Sequence, residues 1–158
     1  VQGLEAFCEA GGDGAILLQT ETQRDVHNST TRESAEKVAQ SCLIHGKLKG
    51  DKVLTNDAFP GVGIIPMGGH TPGAALIAVA VKGHLWLFAG DTTFTKADLL
   101  NNTSKPIIYT TFMIPENRFQ NSTLRDWLRS LNAKDDIDVV ISHDLLDIEK
   151  LPMIKFGS

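Results

Sequence analysis

Four short apolar runs constrain this chain more than any other feature: Gly61-Val-Gly-Ile-Ile65, Ala74 to Val81, His84 to Phe88, and the β-branched Ile137 to Ile141. Runs of this length, bounded by glycine, proline and polar residues, read as strands. Lys82-Gly83 stands between the second and third as a two-residue hairpin turn, so the first three form one contiguous piece of sheet. Between the third and fourth, Ser122 to Leu131 sets Leu124, Trp127, Leu128 and Leu131 on one helical face. Strands separated by an amphipathic helix predict a mixed α/β (α+β) chain.

Upstream, Leu4, Phe7 and Cys8 recur at helical spacing until Gly11-Gly12-Asp13-Gly14, which predicts a short helix over 1–10. Ala15 to Leu18 is an uninterrupted apolar run suited to a buried strand. From Ser29 to Ile44, Ala35, Val38, Ala39, Cys42 and Leu43 mark an amphipathic helix that stops near Gly46, and a last short helix is expected around Leu145 to Leu151. No repeat or low-complexity linker interrupts the sequence. At 158 residues and 42% hydrophobic, it reads as one domain, 1–158.

A net charge of −4 and a pI near 5.7 provide no basic field for nucleic acid or an anionic membrane surface. No apolar run approaches the roughly 20 residues of a membrane span. Cys8 and Cys42 have neither CxxC spacing nor a neighbouring Cys/His cluster, so neither a disulfide framework nor a zinc ribbon is expected. Val1-Gln-Gly-Leu reads as the inside of a helix, which places the true N-terminus upstream and leaves localisation open, with the cytoplasm slightly favoured. Asn28-Ser-Thr, Asn102-Thr-Ser and Asn121-Ser-Thr fit the glycosylation triplet, a pattern common by chance.

The polar residues that close the strands carry the chemistry. His70 follows Gly61-Val-Gly-Ile-Ile-Pro-Met-Gly-Gly, Asp91 follows Leu85-Trp-Leu-Phe-Ala-Gly, and His143 follows Val139-Val-Ile-Ser. A strand fixes its terminal side chain better than a free loop does, and imidazole with carboxylate suits zinc or a similar first-row metal. Taken singly, His70 and His143 read first as satisfied core or loop histidines and Asp91 as a turn cap.

The surrounding phrases decide between these readings. Gly69-His70-Thr71-Pro72-Gly73, then Leu87-Phe88-Ala89-Gly90-Asp91, then Val140-Ile141-Ser142-His143-Asp144 resemble, in order and spacing, the third, fourth and fifth metal-ligand motifs of the metallo-β-lactamase superfamily. Val1-Gln-Gly-Leu-Glu-Ala-Phe is similar to the helix that follows that family's His-x-His-x-Asp-His motif, which occurs nowhere in the chain. The resemblance implies an αββα four-layer sandwich of which this chain is mainly the C-terminal half, with the first metal-binding motif lying upstream of Val1. It implies two divalent metal ions, zinc first and iron or manganese in its place: His70 in a three-histidine site, Asp91 bridging both metals and acting catalytically, His143 in the second site. The implied reaction is attack of a metal-bound hydroxide on a carbonyl or phosphoryl centre of a small-molecule substrate, an ester, lactone or thioester in the lactonase-like and glyoxalase II-like branch.

With three donors divided between two sites, the isolated chain is expected to bind metal weakly and hydrolyse little. An unpartnered sandwich layer is also expected to leave apolar surface exposed. Where lactonase-like members commonly carry a tyrosine three residues after the bridging aspartate, this chain has Phe94. The only tyrosine, Tyr109, reads as a half-buried strand residue, and the stretch from Asn101 to Ile114 as the place for substrate contacts. Trp86 and Trp127 read as core; His27 as a loop residue, His45 as lying near a helix C-terminus, and His84 as opening a hairpin strand. Two other readings stand beside the hydrolase: a truncated or degenerate member acting as a binding or structural partner, and a redox member with iron and a flavin-binding partner. Neither reading excludes a homodimer.

Overall fold

The computed structural model describes residues 8–12, 14–26, 43–114 and 116–151. Five strands form one sheet in the order β3-β4-β5-β6-β7: β3 (Leu54–Thr55), β4 (Val62–Pro66), β5 (Ala75–Val81), β6 (His84–Phe88) and β7 (Ile137–Val140). The first four run antiparallel in sequence order, whereas β7 joins β6 in parallel, with Leu85 opposite Ile137 and Phe88 opposite Val140. The β5–β6 turn is the expected hairpin, with φ of 51° at Lys82 and 81° at Gly83. Positive φ at both turn residues matches the strand twist.

The crossover from β6 to β7 carries α2 (Lys96–Leu100), a π-helical turn (Tyr109–Met113) and α3 (Arg118–Asn132). Alternate residues of the strands, Leu76 and Ala78, Leu87 and Ala89, Val139 and Ile141, point to these helices and form the core with Leu99, Leu124 and Leu128. The period of two along the strands thus meets the 3.6-residue period of α3. Asn117 caps α3 by accepting from the Gln120 amide at 3.0 Å.

The buried stripe of α3 is Asn121, Leu124, Arg125 and Leu128. Trp127 is 39% exposed, contrary to its reading as core. It sits about 110° round the helix from the centre of that stripe, so the polar Asn121 and Arg125 shape the buried face and the tryptophan lies outside it.

A second, two-stranded parallel sheet pairs β1 (Ala15–Leu17) with β2 (Leu43–His45). Leu43 and Ile44 were expected to end a helix; they are strand because β1 offers them a backbone partner, and His45 is strand with them. The remainder of that helix, residues 29–42, and most of the expected helix over 1–10 lie outside the described residues, as does His27. α1 (Glu21–Val26) was not anticipated; Thr20 and Gln23 open it with a reciprocal capping box, at 3.0 and 2.9 Å. The last helix, α4, covers Leu145–Ile148. No helix among the described residues is long and apolar enough to cross a membrane.

Cys8 is disulfide-bonded, contrary to the expectation that the chain's cysteines form no disulfide framework. The chain's other cysteine, Cys42, lies outside the described residues. Thiol labelling of the denatured, unreduced protein should therefore leave Cys8 unmodified, and labelling after reduction should modify it. Labelling of Cys8 without reductant would contradict the bond.

Burial also sets a pH response. Lys96, 13% exposed in its side chain, donates to Asn132 Oδ1 and the Val139 carbonyl. Desolvation lowers its pKa below 10.5, against the opposing pull of Asp147, Asp138 and Asp144. The unfolded chain consequently holds more protons than the folded one between the lowered value and 10.5, so stability gains with rising pH across that window. Urea unfolding of the wild type and Lys96→Met should show the wild type improving relative to the variant as pH climbs towards 10.5. A falling difference would contradict the burial of the ammonium.

Candidate active site at the sheet edge

The parallel register of β6 and β7 brings two predicted residues together. Phe88 lies opposite Val140, and each chain continues three residues further, to Asp91 and to His143. The pairing extends past the strands, with Ala89 N–H donating to the Val140 carbonyl at 2.9 Å and Ser142 N–H to the Gly90 carbonyl at 3.3 Å. His143 Nε2 comes within 2.6 Å of Asp91 Oδ1.

His70 arrives from the β4–β5 connection, which Pro66 and Ala75 close at the same end of the sheet. Its Nε2 lies 3.8 Å from Asp91 Oδ2. All three predicted side chains therefore meet around one carboxylate, His70 13% exposed, Asp91 43% and His143 63%. The last residue of the closing motif, Asp144, is structural: it caps α4 and accepts from the Lys96 amide at 2.8 Å.

Behind His70 is a buried polar cluster that the sequence did not disclose. His70 Nδ1 and Lys105 Nζ each lie 2.6 Å from Glu116 Oε1, and Asn121 Nδ2 donates to Glu116 Oε2 at 3.0 Å. The side chains of Lys105 and Glu116 are both 2% exposed. Lys105 also donates to the Asp91 carbonyl, and its ammonium lies 5.2 Å from the Phe94 ring centre and 5.5 Å from that of Tyr109. A buried carboxylate and ammonium are stable only when paired and hydrogen-bonded in this way.

The cluster explains one glycine of the first motif. Gly69 has φ of 86°, and a Cβ there would stand 2.6 Å from Asn121 Oδ1. Only glycine lets the loop come this close to α3. Further along α3, the buried Arg125 donates to Asn102 Oδ1 at 2.7 Å and Ser104 Oγ at 3.0 Å, fixing the loop that leads into Lys105. Asn102 and Asn121, both heads of glycosylation triplets, are thus held in structural hydrogen bonds, and Asn121 is fully buried.

By type, these donors fit a cation. Asp91 Oδ1 is buried and makes no hydrogen bond, although His143 Nε2 is close, and a second imidazole faces the other oxygen. By arrangement they do not make a ready-formed shell: among the described residues, no group of three or more His, Cys, Asp or Glu side chains is set to hold a metal ion.

A cavity of about 410 Å³ opens beside His70 and Asp91, walled by Leu17, Leu18, Met67, Leu76 and Leu124. Gln19, Gln23, Thr71 and Thr92 add polar groups to this apolar lining, a common form of small-molecule site. Phe94 and Tyr109 meet edge-on at 5.2 Å; Tyr109 lies in the π-helical turn rather than a strand. His84 opens β6 as expected and pairs with Asp138 at 2.9 Å.

No family model matches the chain, and no curated protein matches its sequence. Solved structures do match its fold. A quorum-quenching N-acyl homoserine lactone hydrolase superposes with a TM-score of 0.60 at 14% identity, covering 92% of this chain and 55% of its own. The dizinc quorum-quenching lactonase AidC gives 0.52 at 13% identity, covering 81% and 47%, and AbOPH, a hydrolase in the beta lactamase superfamily, gives 0.52 at 15%, covering 80% and 47%. The chain has the metallo-β-lactamase fold and spans about half the length of the solved structures it matches.

Proposed function

We propose that this chain contributes to a metal-dependent hydrolase acting on an ester, lactone or thioester. The carrying observation is the approach of His70 and His143 to the two oxygens of Asp91 at one end of the sheet. His70, Asp91 and His143 are the residues that would hold divalent metal, zinc in the first instance. A divalent ion bound there supplies a water-derived nucleophile near neutral pH and polarises a substrate carbonyl.

The chain's own residues do the rest. Asp91 offers both oxygens from a short turn whose preceding residues, Ala89 and Gly90, are hydrogen-bonded to Val140 of β7 and to Ser142 just beyond it, so the carboxylate needs little reorganisation to take up positive charge. The aliphatic wall of the cavity takes the apolar part of a substrate and keeps water from it, while His70 and Asp91 mark the end at which the carbonyl must lie. Phe94 presents no hydroxyl, so this position gives the substrate no hydrogen bond. Since the matched proteins include N-acyl homoserine lactone hydrolases, such lactones are the first substrates to assay.

Three donors are too few for two metal ions, and the complete site draws further ligands from a segment bearing a His-x-His-x-Asp-His motif. Titrating the 158-residue chain with zinc should accordingly reveal only weak binding. Tight, stoichiometric uptake would overturn this incomplete donor set. A second reading is a truncated or degenerate member acting as a binding or structural partner. Lactone turnover by the longest natural form that disappears with chelation and returns with zinc would exclude it; no turnover in any metal state would favour it.

A further inference from the structure

We propose that Glu116, held by Lys105 and Asn121, is a positioning residue that fixes the tautomer of His70, keeping the proton on Nδ1 and turning the Nε2 lone pair towards Asp91. Glu116 Oε1 lies 2.6 Å from His70 Nδ1, a distance at which one partner must donate. Glu116 already receives Lys105 Nζ on that oxygen and Asn121 Nδ2 on the other. Both neighbours are donors that favour the ionised carboxylate, and an ionised carboxylate only accepts. The donor to Glu116 is therefore the imidazole Nδ1–H.

The approach of Lys105 Nζ to His70 Nδ1, at 3.3 Å, offers the opposite assignment, with the ammonium donating to a bare Nδ1. That assignment would set two lone pairs, those of Nδ1 and Glu116 Oε1, 2.6 Å apart. It would also place a proton on Nε2 with its nearest carboxylate oxygen, Asp91 Oδ2, 3.8 Å away, beyond hydrogen-bond distance. Only a proton on Nδ1 gives the 2.6 Å contact with Glu116 Oε1 a donor.

The outer nitrogen of a ligating histidine sets which nitrogen faces the metal, and losing such a partner commonly costs ten- to hundredfold in metal affinity. Burial makes the device rigid: Glu116 and Lys105 are 2% exposed, and Gly69 next to His70 packs on Asn121. His84 provides an internal contrast. It meets its carboxylate, Asp138, through Nε2 at 2.9 Å, so the same protein should hold two histidines in opposite tautomers.

The test is nitrogen-15 NMR of the imidazoles in the metal-free chain, which reads the protonated nitrogen of each ring directly. His70 should carry its proton on Nδ1 and His84 on Nε2. Glu116→Ala should move His70 towards the Nε2 form without changing His84, while Glu116→Gln, whose amide oxygen can still accept from Nδ1–H, should restore the original form at least in part. A wild-type His70 protonated on Nε2 overturns the proposal whether or not the variants fold, as does an unchanged tautomer in folded Glu116→Ala. The metal consequence rests on the hydrolase reading: zinc affinity of the longest natural form should fall about ten- to hundredfold in Glu116→Ala. Because the tautomer is read without metal, a failed tautomer result and a failed metal result are separable.

Discussion

Lys105→Met should destabilise the fold by about 3–5 kcal/mol, the usual cost of removing one member of a buried ion pair. The lysine is 2% exposed and donates to Glu116 Oε1, so its loss leaves a buried carboxylate with only His70 and Asn121 for company. It also releases the Asp91 carbonyl and the contact with the faces of Phe94 and Tyr109. Methionine fills most of the vacated volume, so the effect is electrostatic rather than a cavity. Adding Glu116→Gln should therefore recover a large part of the loss, because the uncompensated charge disappears with it. Urea unfolding of the four-member cycle measures both quantities. A single-variant cost below about 1 kcal/mol, as for an exposed pair, would show that the cluster is open to solvent.

On the proposed function, Asp91→Ala should reduce metal-dependent hydrolysis by the longest natural form by about a thousandfold or more, since several kcal/mol of metal-derived stabilisation would act through this residue. The fold should barely notice. Asp91 Oδ1 makes no hydrogen bond and the side chain is 43% exposed, so alanine abandons little that supports the sheet. The pattern is the reverse of that for Lys105→Met, whose cost falls on stability first. An Asp91→Ala protein that unfolds readily, or one that hydrolyses as the wild type does, would remove Asp91 from the reacting centre. Asp91→Asn gives the finer comparison, keeping the shape while removing the charge.

The strands were legible because their apolar runs are short, β-branched and closed by turn residues; β4, β5, β6 and β7 fall within one or two residues of the sequence reading. The three motif residues were legible as candidates, but their meeting was expected only from the family resemblance. It depends on β7 joining β6 in parallel across a crossover of some 50 residues, a pairing that no local pattern encodes. Lys105, Glu116, Asn121 and Arg125 were invisible for a different reason. Charged and amide side chains read as surface, and only mutual satisfaction makes their burial possible. Lys105-Pro106, at the entry to the irregular 101–114 stretch, was the one available hint.

Misreadings had equally local causes. Leu43 and Ile44 continue a helical apolar pattern, yet tertiary pairing with β1 makes them strand. Trp127 carries the largest apolar side chain on α3, but Asn121 and Arg125 rotate the buried stripe away from it. Phe112, Met113 and Phe119, 81%, 69% and 83% exposed, show that apolarity alone does not place a residue inside.

Elemental analysis of the longest natural form of the protein tests whether His70, Asp91 and His143 are donors of a metal-dependent hydrolase. About two metal ions per chain are expected in the wild type, with less in both His70→Ala and His143→Ala. Absence of metal from that form, or full occupancy in both variants, would contradict that role.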